Sequence, residues 1–266
     1  MNQFSELISV LLPVSSFDEY FPIAIDSILN QSYSNFELIV LVNGVDDHEY
    51  EKISAVCCSD FRVKLIRLNL RGLVFALNYG LELASGKYIA RMDADDISSS
   101  DRFLKQIDFF SKNPNFSVVG GRVELIDENG NLLMKKFNFY KTNAEIYNVL
   151  PYRNPLCHPG LMFVRQSLID IGGYKFSFMS EDHELFIRMM RAGYEFFNID
   201  YPVLQYRRHG AQITNSSKSF THFVEISAFM YMYFMRTLNA KYILGMLVVF
   251  PPFRYARNWL RNVISK

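Results

Sequence analysis

Four short apolar runs, each separated from the next by a stretch of helical character, constrain this chain more than any other feature. The runs are Leu7–Leu12, Phe36–Val42, Lys64–Leu68 and Tyr88–Met92. Near-continuous apolar strands of this length suit a parallel sheet covered on both faces. Ser16-Phe17-Asp18-Glu19 has capping-box spacing and predicts a helix to about Asn30. Further helices are predicted over about Asp47–Cys58 and Leu73–Ala84, the latter closed by Gly86 as C-cap. Alternation of this kind gives an α/β fold, a doubly wound, mostly parallel sheet flanked by helices. Ligands of such sheets sit beyond the carboxyl ends of the strands, where strand order reverses. Pro13, Asn43 and Asp93 stand at three of those ends.

After Asp96 the pattern loosens. A helix over Ser100–Ser111 and a strand over Ser117–Val123 are expected, then a hairpin turn at Asp127–Gly130. Asn154–Pro159 reads as a loop, Leu161–Val164 as a short strand and Gly172-Gly173 as a turn. A helix over Glu181–Ala192 and two short strands, Phe196–Ile199 and Val203–Tyr206, complete the reading. The 266 residues suffice for one large domain with an extension. The expected division is residues 1–215, in halves of about 1–97 and 98–215, followed by a helical tail over 216–266.

The net charge of +1 hides an asymmetry, because residues 218–266 hold seven bases and one acid, Glu225. An acidic body with a basic, aromatic tail argues against a nucleic-acid partner, whose basic patch belongs on the main domain. In the tail, Phe253, Ala256, Trp259, Leu260, Val263 and Ile264 share one helical face, and Arg254, Arg257 and Arg261 another. Such a helix lies in a membrane interface or packs on protein with its arginines outward. The adjoining apolar stretch Tyr242–Phe253 favours the membrane, and its 12 residues are too few to span it. No signal peptide is evident, and three cysteines with no paired spacing fit a reducing compartment. The expected location is cytoplasmic, peripheral on the inner face of the cell membrane.

The strand Tyr88–Met92 runs into Asp93-Ala94-Asp95-Asp96. Three crowded carboxylates repel one another, and a divalent cation relieves that repulsion. Hard oxygen ligands suit Mg²⁺ or Mn²⁺, commonly completed by substrate phosphates. Acidic residues at such a turn also serve as helix caps.

Further motifs follow in order. They are Ile8–Val14, Ser27–Gln31, Phe36–Val40, Leu77-Asn78-Tyr79-Gly80, Ala84–Ile89 and Met92–Asp96, then Gly172-Gly173-Tyr174, Ser180-Glu181-Asp182 with Leu185 and Arg188, and Tyr206–His209. Over about Leu7–Thr214 this succession resembles the family 2 glycosyltransferases of GT-A fold, in particular bacterial enzymes of O-antigen, capsule or exopolysaccharide synthesis.

The resemblance implies an inverting, metal-dependent transfer from a nucleotide-sugar donor, a UDP-sugar foremost, to a glycan or polyprenyl-diphosphate-linked acceptor. The nucleotide-sugar half would be residues 1–97 and the acceptor half 98–215. A metal held by the DxD element would neutralise charge on the leaving diphosphate. By this likeness Asp95 is the direct ligand of Mn²⁺ or Mg²⁺, and Asp93 meets the ribose or a metal-bound water. Asp96 stands behind them or caps the next helix. Asp182, beside Glu181 at a helix start, is the expected base that takes the acceptor proton; the pair otherwise only complements the helix dipole. Pro13, Val14 and Ser15 are expected at the nucleobase. His209 and Arg208 are expected at the metal and diphosphate, or else form a basic surface turn. His158 falls in the acceptor-side loop or is structural.

Two departures stand out. Asn43-Gly44-Val45-Asp46-Asp47 replaces the family's Asp-Gly-Ser-x-Asp, so a neutral amide would meet the base edge. Ser15-Ser16 replaces a Tyr-Asn pair. The Asn43 departure also admits a non-catalytic nucleotide-sugar-binding or scaffold protein on the same fold. A nucleotidyltransferase is disfavoured, because no glycine-rich phosphate loop follows the first strand.

Overall fold

The structure is a computed structural model that describes residues 5–58, 60–135, 137–175, 180–209 and 219–252. Its strands are β1 (Ile8–Val14), β2 (Phe36–Asn43), β3 (Val63–Leu68), β4 (Tyr88–Arg91), β5 (Ile97–Ser98), β6 (Phe116–Ile126), β7 (Met162–Val164) and β8 (Glu195–Arg207). Its helices are α1 (Phe21–Leu29), α2 (Asp47–Cys57), α3 (Leu73–Leu83), α4 (Arg102–Lys112), α5 (Asn143–Val149), α6 (Arg165–Asp170), α7 (Glu181–Arg191), α8 (Ser219–Thr237) and α9 (Lys241–Val249).

All these strands join one sheet in the order β3-β2-β1-β4-β7-β6-β8-β5. The first four pair in parallel, as the alternation predicts. β7 then runs antiparallel to both β4 and β6. The chain builds outward from β1 to β3 and returns to lay β4 on the other flank of β1. Strand order therefore reverses between β1 and β4, and the crevice beyond their carboxyl ends is the place for a ligand.

Alternate residues of the parallel strands feed two cores. Val10, Leu12, Leu38 and Val40 join one cluster with α1 and α4, whereas Leu11, Ile39 and Leu41 join another with α3 and α7. Both faces are thus buried, which is why these strands read as unbroken apolar runs.

Several local expectations are corrected. The helix after β1 starts at Phe21, not at the predicted capping box, and Asp18 Oδ1 accepts the N–H of Tyr20 and of Phe21. Asp46 caps α2 by accepting the N–H of Glu49 at 2.8 Å. Gly86 does not cap α3, which ends at Leu83 with Ala84 extended. A Cβ on Gly86 would lie 2.6 Å from Ser9 N and 2.7 Å from Leu7 O, so the glycine permits close approach to β1. The two short strands predicted near Phe196 and Val203 are one strand, β8, whose register with β6 shifts around Gly121 and Arg122.

The C-terminal helices join the second core. Ile226, Phe229, Met230 and Tyr233 of α8 are buried in one cluster with Leu185, Phe186 and Met189 of α7. The Tyr233 hydroxyl donates to the buried Glu184 at 3.0 Å. The predicted amphipathic helix over 253–264 lies outside the described residues. No helix among the described residues is long and apolar enough to cross a membrane.

Candidate active site

The acidic turn lies at the carboxyl end of β4. Carboxylate oxygens of Asp93, Asp95 and Asp96 come within 4.8 Å of one another. Asp96 is wholly buried; its Oδ1 accepts the backbone N–H of Arg207 at 2.9 Å, and its Oδ2 has no partner. It does not cap α4, which begins at Arg102 behind Asp101. Burial, then the charges of Asp93 and Asp95, push the Asp96 carboxyl well above the carboxylate range. Burial and Asp93 also raise Asp95, with His209 opposing them. Carboxyls raised by burial and then by their own crowding are a donor set short of positive charge. An orphaned buried oxygen in the same cluster adds to the fit with a hard divalent cation.

His209 reaches this turn, its Nε2 2.9 Å from Asp95 Oδ2. Its ring lies 5.3 Å from that of Tyr20. Arg207, two residues earlier, is the frame of the turn. Its Nε donates to Asp95 O at 2.9 Å, and Nη1 reaches the carbonyls of Asp127 and Glu128. The guanidinium stacks 4.3 Å over Tyr20. Arg208 is exposed, with its backbone N–H bonded to Ile126 O.

A second group of carboxyls opens α7. Asp182 is partly exposed; its Oδ2 accepts from Asn154 Nδ2 at 2.8 Å and its Oδ1 from His183 N at 2.6 Å. Burial pushes Asp182 up to about 6, and burial with the Asp182 charge pushes Glu181 up to about 8. His158 is a buried histidine beside them, with Nε2 2.8 Å from the Tyr174 hydroxyl and Nδ1 4.0 Å from Glu181. Burial, then Arg91, drive its pKa well down, so the ring is neutral and packs edge-on to Phe163 and Phe186.

Arg91 joins the two groups. It is 3% exposed, pairs with Asp93 through Nη1, and its charge bears on Tyr174, Glu181 and Asp182. The turn before α7 is clasped from two sides. Asn78 Nδ2 donates to Tyr174 O and Asn78 Oδ1 accepts from Tyr174 N, both at 2.9 Å. Gly173 has φ of +62°, and a Cβ there would lie 2.4 Å from Asn78 Oδ1. Arg188 reaches from α7 to the carbonyls of Ile171 and Gly173.

At the carboxyl ends of β1 and β2, Pro13 and Val14 are buried and Ser15 is partly exposed. Asn43 is 4% exposed and braces two segments: Nδ2 donates to Val14 O at 3.0 Å and Oδ1 accepts from Gly72 N at 3.1 Å. A neutral amide suits that double role, because a carboxylate cannot donate to Val14 O. Asn43→Asp is therefore expected to cost about 1–3 kcal/mol at pH 8, by placing an acceptor against an acceptor. The deficit should shrink in acid, where the protonated carboxyl donates again. Equal urea midpoints for variant and parent at pH 8 would remove the brace.

The sequence profile described as glycosyl transferase family 2 matches residues 9–172. The chain belongs to that family. This glycosyltransferase is 37% identical over 218 residues to the O-antigen biosynthesis glycosyltransferase WbnJ of Escherichia coli, an alignment covering 81% of this chain and 85% of the relative. Its fold is that of S. aureus TarS 1-349 in complex with UDP-GlcNAc, at a TM-score of 0.66 and 15% identity, covering 85% of this chain and 66% of that one. The mannosyltransferase PcManGT of Pyrobaculum calidifontis, in complex with GDP-Man and Mn²⁺, superposes at a TM-score of 0.64 and 17% identity, covering 92% of this chain and 69% of that one. The glycosyltransferase thus has the GT-A fold that the motif order implied.

Of the residues singled out in the sequence, Asp93, Asp95, Asp96 and His209 of the glycosyltransferase come together, and Asp182 stands in the second group with Glu181. Sequence reasoning missed Arg91, Asn154, Arg207 and Tyr20. Arg91 had a visible signal, as the charge inside an otherwise uncharged stretch of a buried strand. Arg207 was hidden beside Arg208, because only the register of β8 tells which of the two points inward.

Proposed function

We propose that this glycosyltransferase transfers a sugar, with inversion, from a UDP-sugar to a glycan or polyprenyl-diphosphate-linked acceptor in bacterial surface polysaccharide synthesis. One observation carries the reading. Two carboxyl groups of different character share the site, a crowded triad ending β4 and a base-like Asp182 opening α7. WbnJ, a relative named for O-antigen biosynthesis, supports the polysaccharide context. TarS, seen with UDP-GlcNAc, and PcManGT, seen with GDP-Man, support a nucleotide-sugar donor.

Asp182 takes the acceptor proton. A carboxylate poised near pH 6 is a better base at neutral pH than one at about 4, and Asn154 orients it. Asp95 and His209 would hold Mn²⁺ or Mg²⁺, with Asp96 behind them supporting Arg207 and the turn. When bound, the ion supplies positive charge for the leaving diphosphate. Asp93, oriented by Arg91, meets the ribose side of the donor, and the exposed Arg208 is placed for phosphate. Pro13, Val14 and Ser15 form the nucleobase wall, the first two through their backbone, and Asn43 holds that wall in place. The basic segment 253–266 keeps the enzyme on the inner face of the cell membrane.

The test is a thermal-shift series with nucleotide sugars, in Mn²⁺ and in EDTA. A ligand that binds only the folded state raises the unfolding temperature by mass action. One UDP-sugar is expected to stabilise the enzyme, and more so in Mn²⁺. No shift with any UDP-sugar, or a larger shift with a GDP-sugar, would reject the donor assignment.

A further inference from the structure

The buried face of α8 is occupied by the core, but its outer face is covered by none of the described residues. Phe220 (70% exposed), Val224 (49%), Tyr231 (55%), Met235 (57%) and Leu238 (76%) lie along it and just past its end. Counted from Phe220, the spacings are 4, 11, 15 and 18 residues. At 3.6 residues per turn these positions fall within about 60° of one another. Phe220, Val224, Tyr231 and Met235 therefore form one stripe, with Leu238 just past the end of the helix. Arg236 projects from a different side, and Glu225, the acid of this helix, is buried. Leu244 and Leu247 of the neighbouring α9 are each 46% exposed as well. An exposed stripe of this size marks a contact surface.

The covalent context identifies the partner. Past α9 the chain continues into residues 253–266, which contain Arg254, Arg257, Arg261 and Lys266 and no acid. An apolar helical face followed in the chain by a purely cationic segment complements a lipid surface with anionic headgroups, the stripe suited to the acyl boundary and the cations to the headgroups. A second protein copy would offer the same cations to the cations of its twin.

We infer that the outer face of α8 is the membrane seat of this enzyme and docks on an anionic lipid surface. The inference deepens the proposed function, on whose membrane location it rests, and it assigns the apolar half of that contact to α8. Because Tyr233 ties α8 to Glu184 of α7, the seat is rigidly linked to the helix that carries Asp182.

The test uses the full chain and vesicles of phosphatidylcholine with or without phosphatidylglycerol, read by flotation. The wild type is expected to float with the phosphatidylglycerol vesicles and at least about tenfold less with phosphatidylcholine alone. Tyr231→Glu with Met235→Glu, both on the solvent side, should lower flotation at least about tenfold with an unchanged unfolding temperature. Nucleotide-sugar stabilisation should also persist in that variant, which separates failure of the seat from failure of the donor site. Undiminished flotation of the double variant overturns the inference. So does a wild-type dimer that the double substitution splits without loss of flotation, since the stripe would then join two copies. Retained flotation in the seat variant together with loss in Arg254→Glu, Arg257→Glu and Arg261→Glu would likewise overturn it, leaving the contact to the cations alone.

Discussion

Asp182→Asn is expected to abolish sugar transfer while leaving nucleotide-sugar binding intact. A general base contributes about 10²–10⁴-fold to a rate, and an amide cannot take a proton. Asn keeps the shape of the side chain, and its single amide oxygen can accept from His183 N or from Asn154 but not from both. The donor-induced thermal shift should therefore match that of the wild type. The pH dependence gives an independent check. Asp182 must be ionised to act, so turnover of the wild type should rise through about pH 6, not about pH 4. Stability runs the other way. A carboxyl raised on folding contributes stability that is complete below about pH 4, its unfolded value, and is lost as pH rises through about 6. At pH 8 the Asn variant escapes that loss, while its amide nitrogen opposes one of the two donors that the carboxylate accepts. Transfer at the wild-type rate by the Asn variant would end the base assignment.

Asp95→Ala should lower transfer by at least about 10²-fold, the scale for losing one electrostatic contact to a developing charge. Its sharper signature is in binding. The extra nucleotide affinity conferred by Mn²⁺ should vanish, leaving the variant with the affinity that the wild type shows in EDTA. Without metal the variant should melt no lower than the wild type, because it relieves repulsion among three carboxyls within 4.8 Å. A lower melting point in EDTA would make Asp95 a structural residue. An Mn²⁺ effect equal to the wild type's would move the metal elsewhere.

The parallel half was legible because burial on both faces writes a strand as an unbroken apolar run, and β1, β2 and β4 are buried throughout. The antiparallel half was less so. Asp200-Tyr201-Pro202 reads as a break, yet β8 passes through it by shifting register against β6. β5 is two residues long and α6 six, too short for any period to show. The carboxylates of the site were visible because acidic residues at a strand end or a helix start are conspicuous. Their supports were not. Asn43 depends on Gly72, 29 positions away, and Arg207 on a turn 112 positions earlier, and such pairings exist only once the chain has folded.

The hydroxyl of Tyr233 has a consequence for how such enzymes can be recombined. It bonds Glu184, Glu184 holds Arg188, and Arg188 holds the Ile171 and Gly173 carbonyls of the turn ahead of the base. A chimaera that grafts the C-terminal helices of one relative onto the body of another exchanges more than a cellular address. It removes a partner from a buried carboxylate and reshapes the core behind α7. Bodies and tails in this fold are matched sets, and a graft succeeds where the donor tail brings its own hydrogen-bond donor to that carboxylate.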